Sequence, residues 1–213
     1  MSHTILLELH YLGGLPYFSK LLHTPQVVIE QHEHYRKGSF RNRCYIGTAQ
    51  GPQLLSIPLA SGKHQQAPIK AVRIDAQSHW QRQHWRSIKT AYGKSPFYDY
   101  YAPFLASFYE RPYTWLFDFC QELQLQLFQL LGINPTLIYS STYQHQTAGD
   151  CTDFRHQLLP RNYATYSDSN YQIIPYPQVF EDRQGFVPNL SIIDLLYCTG
   201  PEALDYLQQC RLH

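Results

Sequence analysis

The chain has 213 residues, enough for one sizeable domain, and its 17 Lys plus Arg against 16 Asp plus Glu leave a formal charge of +1. A balance this even disfavours nucleic-acid binding through a global basic field, and no uncharged apolar stretch approaches the roughly 18 residues of a membrane span. The five cysteines, Cys44, Cys120, Cys151, Cys198 and Cys210, are odd in number and include no Cys-x-x-Cys pair, so neither a disulfide framework nor a thiolate zinc site is expected and the chain reads as cytoplasmic.

In chain order, residues 4–8 read as a short strand, followed by a Gly13-Gly14 turn and a helix opening near Pro16, whose fixed φ suits a first helical turn. The β-branched run 26–30 is a second strand, and 43–48 with 53–59 form a hairpin about a Gly51-Pro52 turn. Residues 72–74 extend the strand count. A helical pattern over 78–91 meets Gly93 as a left-handed stop, after which Ser95-Pro96 supplies a hydroxyl N-cap and a proline for the next helix. The clearest helix is 114–131, with Leu116, Phe119, Leu123, Leu127 and Leu130 on one stripe and Gly132 then Pro135 as its end.

Residues 140–170 are crowded with Ser, Thr, Gln, Asp, Tyr and His, and a stretch of that length reads as a polar loop or lid over a site. Its flanks, 135–139 and 171–174, read as strands of one sheet, and further helices are expected near 191–198 and 201–210. The whole chain, residues 1–213, is therefore expected to be a single α/β or α+β domain, a mixed β-sheet with packed helices.

Four segments carry a family resemblance: YRKGSFRNRCYI (35–46) with LLSIPL (54–59), HWQRQHWRSIKTAYGKSPFYDYY (79–101), the tripeptide Asp153-Phe154-Arg155, and YPQVFEDRQGFVPNLSIIDLLYCTGP (176–201). In this order the chain resembles the bacterial WbqC-like family, associated with O-antigen and related polysaccharide clusters. The resemblance implies an enzyme of surface-polysaccharide biosynthesis that acts on a nucleotide-linked or lipid-linked amino sugar and adds an aminoacyl group, such as glycyl, to its amine. The alternative is a non-catalytic sugar-nucleotide-binding or scaffold protein of the same pathway. An activated aminoacyl donor is then a further partner, and nucleic acid enters only if that donor is an aminoacyl-tRNA. No cofactor and no metal are implied.

Within those segments the residues suggest roles. Arg41 and Arg43, about Asn42, stand two apart, so on a strand they share a face and can fork onto a diphosphate; the competing reading is a solvated strand face. Gly93-Lys94-Ser95 lacks the glycine a phosphate-binding P-loop requires five residues earlier, where Ile88 stands. Lys94 beside a helix opening at Ser95 still offers an anion site, with simple capping as its rival. His32 or His84 is the expected general base, since neutral imidazole near pH 7 needs no special tuning. Asp153 and Arg155 point the same way on an extended chain and either orient the loop or grip a polar ligand. Tyr176, Gln178 and Phe180, alternate residues of an extended run, suit a ring-stacking wall. Cys151, between Asp150 and Asp153, is expected to be inert because the carboxylates oppose its thiolate.

Overall fold

The computed structural model describes residues 4–62, 66–145, 147 and 149–211. It is built on a four-stranded, fully parallel sheet in the order β5-β2-β1-β6, comprising β1 (Thr4–Leu7), β2 (Gln26–Ile29), β5 (Leu137–Tyr139) and β6 (Cys151–Asp153). The centre of the sheet is aliphatic, with Ile5, Leu7, Val27 and Ile29 buried, as a parallel sheet requires. Between β1 and β2 runs α1 (Leu15–His23), opened by Pro16 in its first turn. Gly14 is needed before it, because a Cβ there would meet the carbonyl oxygen of Asn189 at 2.9 Å. Phe18 of α1 meets Phe128 edge-on, which ties this crossover to the longest helix, α4 (Leu116–Leu131).

The antiparallel pairing expected of a mixed sheet stands apart, as the hairpin β3 (Arg43–Thr48) and β4 (Gly51–Ser56). Helix α2 (Trp80–Tyr92) packs beside it, and α3 (Tyr98–Glu110) packs against both α2 and α4. The chain ends with α5 (Glu181–Gln184), α6 (Ile192–Thr199) and α7 (Ala203–Gln209). The α/β class with packed helices is thus as the sequence indicates. Among the described residues no helix is long and apolar enough to cross a membrane.

Three local expectations need correction. Gly93 is right-handed at φ −60°; its value is space, since a Cβ would lie 2.6 Å from the carbonyl oxygen of Lys89. Residues 72–74 form only isolated bridges, Leu59 to Ile74 and Arg73 to Trp115, and 171–174 form no strand, Tyr171 bridging Asp168 alone. The fourth parallel strand instead comes from inside the polar stretch, where Thr4, Ile5 and Leu6 pair with Cys151, Thr152 and Asp153.

The C-terminal third is held by Asp194, in the first turn of α6 and 2% exposed. Its carboxyl accepts hydrogen bonds from the Tyr92 hydroxyl (2.8 Å), the Tyr176 hydroxyl (2.9 Å) and Gln178 Nε2 (3.1 Å), joining α2, the extended 176–178 segment and α6. Burial pushes its pKa up to about 6, although all three donors pull the other way. Since the folded pKa lies above the unfolded value of 3.8, this group's contribution is full below 3.8 and is lost as pH rises through 6. A two-unit shift corresponds to about 3 kcal/mol. Urea melts at a series of pH values should therefore show wild type gaining on Asp194→Asn by up to about 3 kcal/mol as pH falls from about 7 towards 4, and parallel curves would refute the assignment.

Candidate active site

In the order β5-β2-β1-β6 the chain winds outward from β1 in one direction through β2 and β5, and in the other to β6. The crevice beyond the carboxyl ends of β1 and β6 is the topological switch point, where open parallel sheets bind ligands. Polar side chains buried at that edge come from every strand exit: Glu8 and His10 after β1, Glu30 and Glu33 after β2, Ser140 after β5, and Asp153, Arg155 and His156 at and after β6. Asp153 and His156 are half-buried and the rest buried.

Arg41 stands at the centre, 1% exposed. Its Nε and Nη2 fork onto the Glu33 carboxylate at 2.7 and 2.5 Å, while Nη1 forms an ion pair at 3.5 Å with Glu8 Oε1 and Nη2 lies 3.3 Å from His156 Nδ1. Glu8 also receives the backbone N–H of His156, at 3.1 Å to Oε2, so the exits of β1 and β6 are joined across the switch point. Burial alone would raise the Glu8 pKa, but Arg41, His10 and His156 together hold it down at about 2. Glu33 goes the other way: burial outweighs its guanidinium partner and raises its pKa.

A second knot lies beside the first. Glu30 accepts the His32 backbone N–H (2.8 Å), the Ser140 hydroxyl (2.6 Å), the Gln144 backbone N–H (2.9 Å) and Arg155 Nη1 (3.4 Å). Arg155 forks onto Asp153, donates to the Gln144 carbonyl at 2.7 Å and lies over the Tyr143 ring. Four carboxylates therefore face two guanidiniums.

On the α1 side, His10 and Tyr17 stack at 4.2 Å, with Phe40 5.4 Å from His10. These three, with Leu158, Tyr163 and Asn189, line a crevice of about 10 Å³, room for one water-sized group. Tyr163 is itself stacked on Tyr45 at 4.0 Å. The non-glycine residues with positive φ among those described, Leu12 (45°), His156 (66°) and Asn189 (58°), belong to the β1 exit, the β6 exit and the crevice wall. Such strain persists where surrounding structure over-determines it, typically at functional sites.

The residues expected from sequence are distributed unevenly over this geometry. Arg41, Asp153 and Arg155 belong to the cluster, but as internal struts: Arg41 forks onto Glu33 with Nη1 at ion-pair distance from Glu8, and Arg155 donates to Asp153, Glu30 and the Gln144 carbonyl. Asn42 is fixed by the Tyr35 hydroxyl and the Ile57 carbonyl. Arg43 opens β3 half-buried, near enough to act with Arg41 on the Tyr35 phenol. His32 is exposed. His84 is buried between Tyr11 and Trp80, with Nδ1 2.9 Å from the Tyr11 hydroxyl, and burial lowers its pKa to about 4. Lys94 is exposed, and the Ser95 hydroxyl donates to the Tyr92 carbonyl rather than capping α3, which opens three residues later at Tyr98. Tyr176 and Gln178 bind Asp194.

Sequence reasoning passed over Glu8, His10, Glu30, Glu33 and His156. The available signal was slight: ionisable residues set into or just beyond the apolar runs of β1 and β2. Among the described residues no group of three or more His, Cys, Asp or Glu side chains is arranged to hold a metal ion.

Removing the central guanidinium leaves Glu8 and Glu33 buried without their cation. Arg41→Ala should cost about 3–5 kcal/mol in urea unfolding, whereas Lys94→Ala at an exposed position should stay within about 0.5 kcal/mol. Comparable small losses for both would refute the strut role.

These same elements are the ones that comparisons with known proteins cover. The model of the family described as "WbqC-like protein family" matches residues 10–170 and 150–206. Over 233 residues the chain is 26% identical to "Uncharacterized protein Rv1507c" of Mycobacterium tuberculosis (strain ATCC 25618 / H37Rv), with 99% of this chain and 100% of that protein covered. No solved structure matches. With its family model running from the β1 exit through α6, the chain belongs to the WbqC-like protein family.

Proposed function

We propose that this chain is a cytoplasmic enzyme of bacterial surface-polysaccharide biosynthesis that acts on a nucleotide-linked or lipid-linked amino sugar and transfers an aminoacyl group, such as glycyl, to its amine. The observation that carries the reading is the carboxylate-rich cluster at the switch point, with an aromatic-walled crevice beside it. Four carboxylates against two engaged guanidiniums favour a cationic or neutral amine over an anion, and Tyr17, Phe40 and Tyr163 offer faces for a sugar ring. Because Arg41 is committed to Glu33 and Glu8, the diphosphate role passes to cations nearer the surface. Arg36 is exposed and close enough to act on His156, and Arg43 is half-buried.

In this scheme the 140–170 segment is the lid. Leu158 and Tyr163 form one wall of the crevice, and the segment is latched to α1 by Lys20, whose Nζ lies 2.6 Å from Asp168 and 3.8 Å from the centre of the Phe154 ring. Substrate entry requires the wall to lift, since the closed crevice admits only one small group. A non-catalytic binding or scaffold role in the same pathway is the second reading, favoured by the internal engagement of Arg41 and Arg155.

Paired ligands test the proposal. A nucleotide-linked amino sugar should raise the melting temperature more than the same sugar with a hydroxyl in place of the amine; a ligand at a hundred times its Kd adds about 2.7 kcal/mol. With an activated aminoacyl ester present, mass spectrometry should find the amino sugar carrying one added aminoacyl group. Equal stabilisation by both sugars would refute amine recognition, and binding without any transfer would leave the scaffold reading.

A further inference from the structure

We infer that His10, oriented by Glu8, is the general base that takes a proton from a primary amine at the crevice, which makes this pair the catalytic dyad of the transfer proposed above. The inference rests on that reading for its substrate, but its geometry stands apart from it.

His10 is 3% exposed and held on two sides. One face stacks on Tyr17, and Nε2 lies 3.5 Å from Glu8 Oε1. Glu8 in turn accepts the His156 backbone N–H and lies at ion-pair distance from Arg41 Nη1, so the carboxylate is an ionised acceptor. An ionised acceptor at Nε2 selects the tautomer with its proton on Nε2 and the lone pair on Nδ1. Nδ1 has no hydrogen-bond partner among the described residues, although it is shut away from solvent. A buried polar nitrogen without a partner is costly in a merely structural role, and it stands on a residue that lines a void for one water-sized group, the size of an amine nitrogen.

The charged and titratable groups facing the ring are Glu8 on one side, Arg41 behind Glu8, and the Tyr17 phenol, which donates to Gln124 at 2.8 Å. Burial lowers the His10 pKa, Glu8 pulls it up and Arg41 lowers it again, with a net result below the usual 6.5, so the ring is neutral at pH 7. Of the other candidate bases, His84 Nδ1 is bonded to Tyr11 and His156 Nδ1 faces Arg41, while His32 is exposed and does not line the crevice.

The chemistry balances with an activated aminoacyl ester as the second substrate. The amine nitrogen attacks the ester carbonyl carbon, a C–N bond forms and the C–O bond to the leaving group breaks. The proton leaves nitrogen for His10 Nδ1 and passes from there to the departing oxygen. The products are an amide and a free alcohol or acid, with the ring returned to its starting state.

Two measurements decide the matter. In histidine-labelled wild-type protein, nitrogen NMR should find His10 protonated on Nε2 and bare on Nδ1, with the Nδ1 resonance moving when glucosamine is added as a probe amine. A proton on Nδ1, or a resonance that stays unmoved while the amine is bound, overturns the dyad whether or not any variant folds. With glycine p-nitrophenyl ester as donor and glucosamine as acceptor, His10→Asn should lower kcat by about 10²- to 10⁴-fold while amine binding changes little. The variant should also lose the acid-side fall of the wild-type pH profile. Unchanged kcat and pH profile in the variant overturn the inference while leaving amine transfer standing. Failure of wild type to bind any amine would instead count against the proposed function, with the tautomer still read independently. Release of p-nitrophenol without amide would mean that water, not an amine, occupies the crevice, and would overturn the substrate class.

Discussion

A guanidinium that is 1% exposed stays charged and is costly to bury without carboxylates beside it, and Arg41 has two, Glu33 in a fork and Glu8 at ion-pair distance. These come from separate stretches: the exit of β1, the loop after β2 and the approach to β3. One cation therefore fixes where three chain segments lie relative to the sheet edge. Such a cluster is weak evidence for net stability, because desolvation of the ions offsets most of their attraction. What it determines is geometry. Glu8 is held where it can meet His10 on one side and the His156 backbone on the other, and the crevice depends on that placement.

The cluster also spreads acidity unevenly among chemically similar groups. Glu8 has Arg41, His10 and His156 in its favour and sits at about 2, so its contribution to folding is present above 4.5 and is lost as pH falls towards 2. Glu33 has Arg41 but also feels the negative charge of Glu8, and burial prevails to raise its pKa. Asp194, outside the cluster and with only neutral hydroxyls and an amide for partners, rises to about 6. Of these three, the carboxylate beside the crevice histidine is the one held lowest, which is what holding a neutral imidazole in a single tautomer demands.

The elements legible in the sequence were those whose signal is local and repeated. The 114–131 stripe became α4 (Leu116–Leu131), ended by Gly132 at φ 68° as its position predicts. The hairpin kept its first strand, 43–48, while its partner shifted to Gly51–Ser56, because Gly51 at φ 109° lets pairing begin immediately after the turn. β6 was not legible. Three residues, Cys-Thr-Asp, in a polar stretch carry no periodicity, and they are a strand only because β1 offers an unpaired edge. The site suffered the same limit. Arg41, Asp153 and Arg155 drew notice as charges, but their partners Glu8, Glu30 and Glu33 are brought to them by parallel pairing between segments far apart in sequence, which no local pattern encodes. Ser95 misled for a related reason: a Ser-Pro start is a good cap, yet the hydroxyl found the Tyr92 carbonyl closer at hand.

The way the chain passes from β5 to β6 explains why the polar stretch matters. These strands lie on opposite edges of the sheet, so residues 140–150 must cross it, a task usually given to a helix in parallel folds. Here the crossing is short and polar, and it is secured at its ends: the Ser140 hydroxyl and the Gln144 backbone bind Glu30, while Arg155 grips both Glu30 and the Gln144 carbonyl. Beyond that anchor the chain runs directly into His156 and the crevice wall at Leu158 and Tyr163. Under the proposed scheme the wall lifts while the β6 exit stays fixed, because the backbone of His156 is held by Glu8, whereas the wall's own ties are the Lys20–Asp168 ion pair, the Tyr45–Tyr163 stack and the hydrogen bond from Asn189 Nδ2 to the Tyr163 carbonyl at 2.7 Å. A moving lid is then compatible with an unmoving base, which is the division of labour that catalysis in a closed crevice requires.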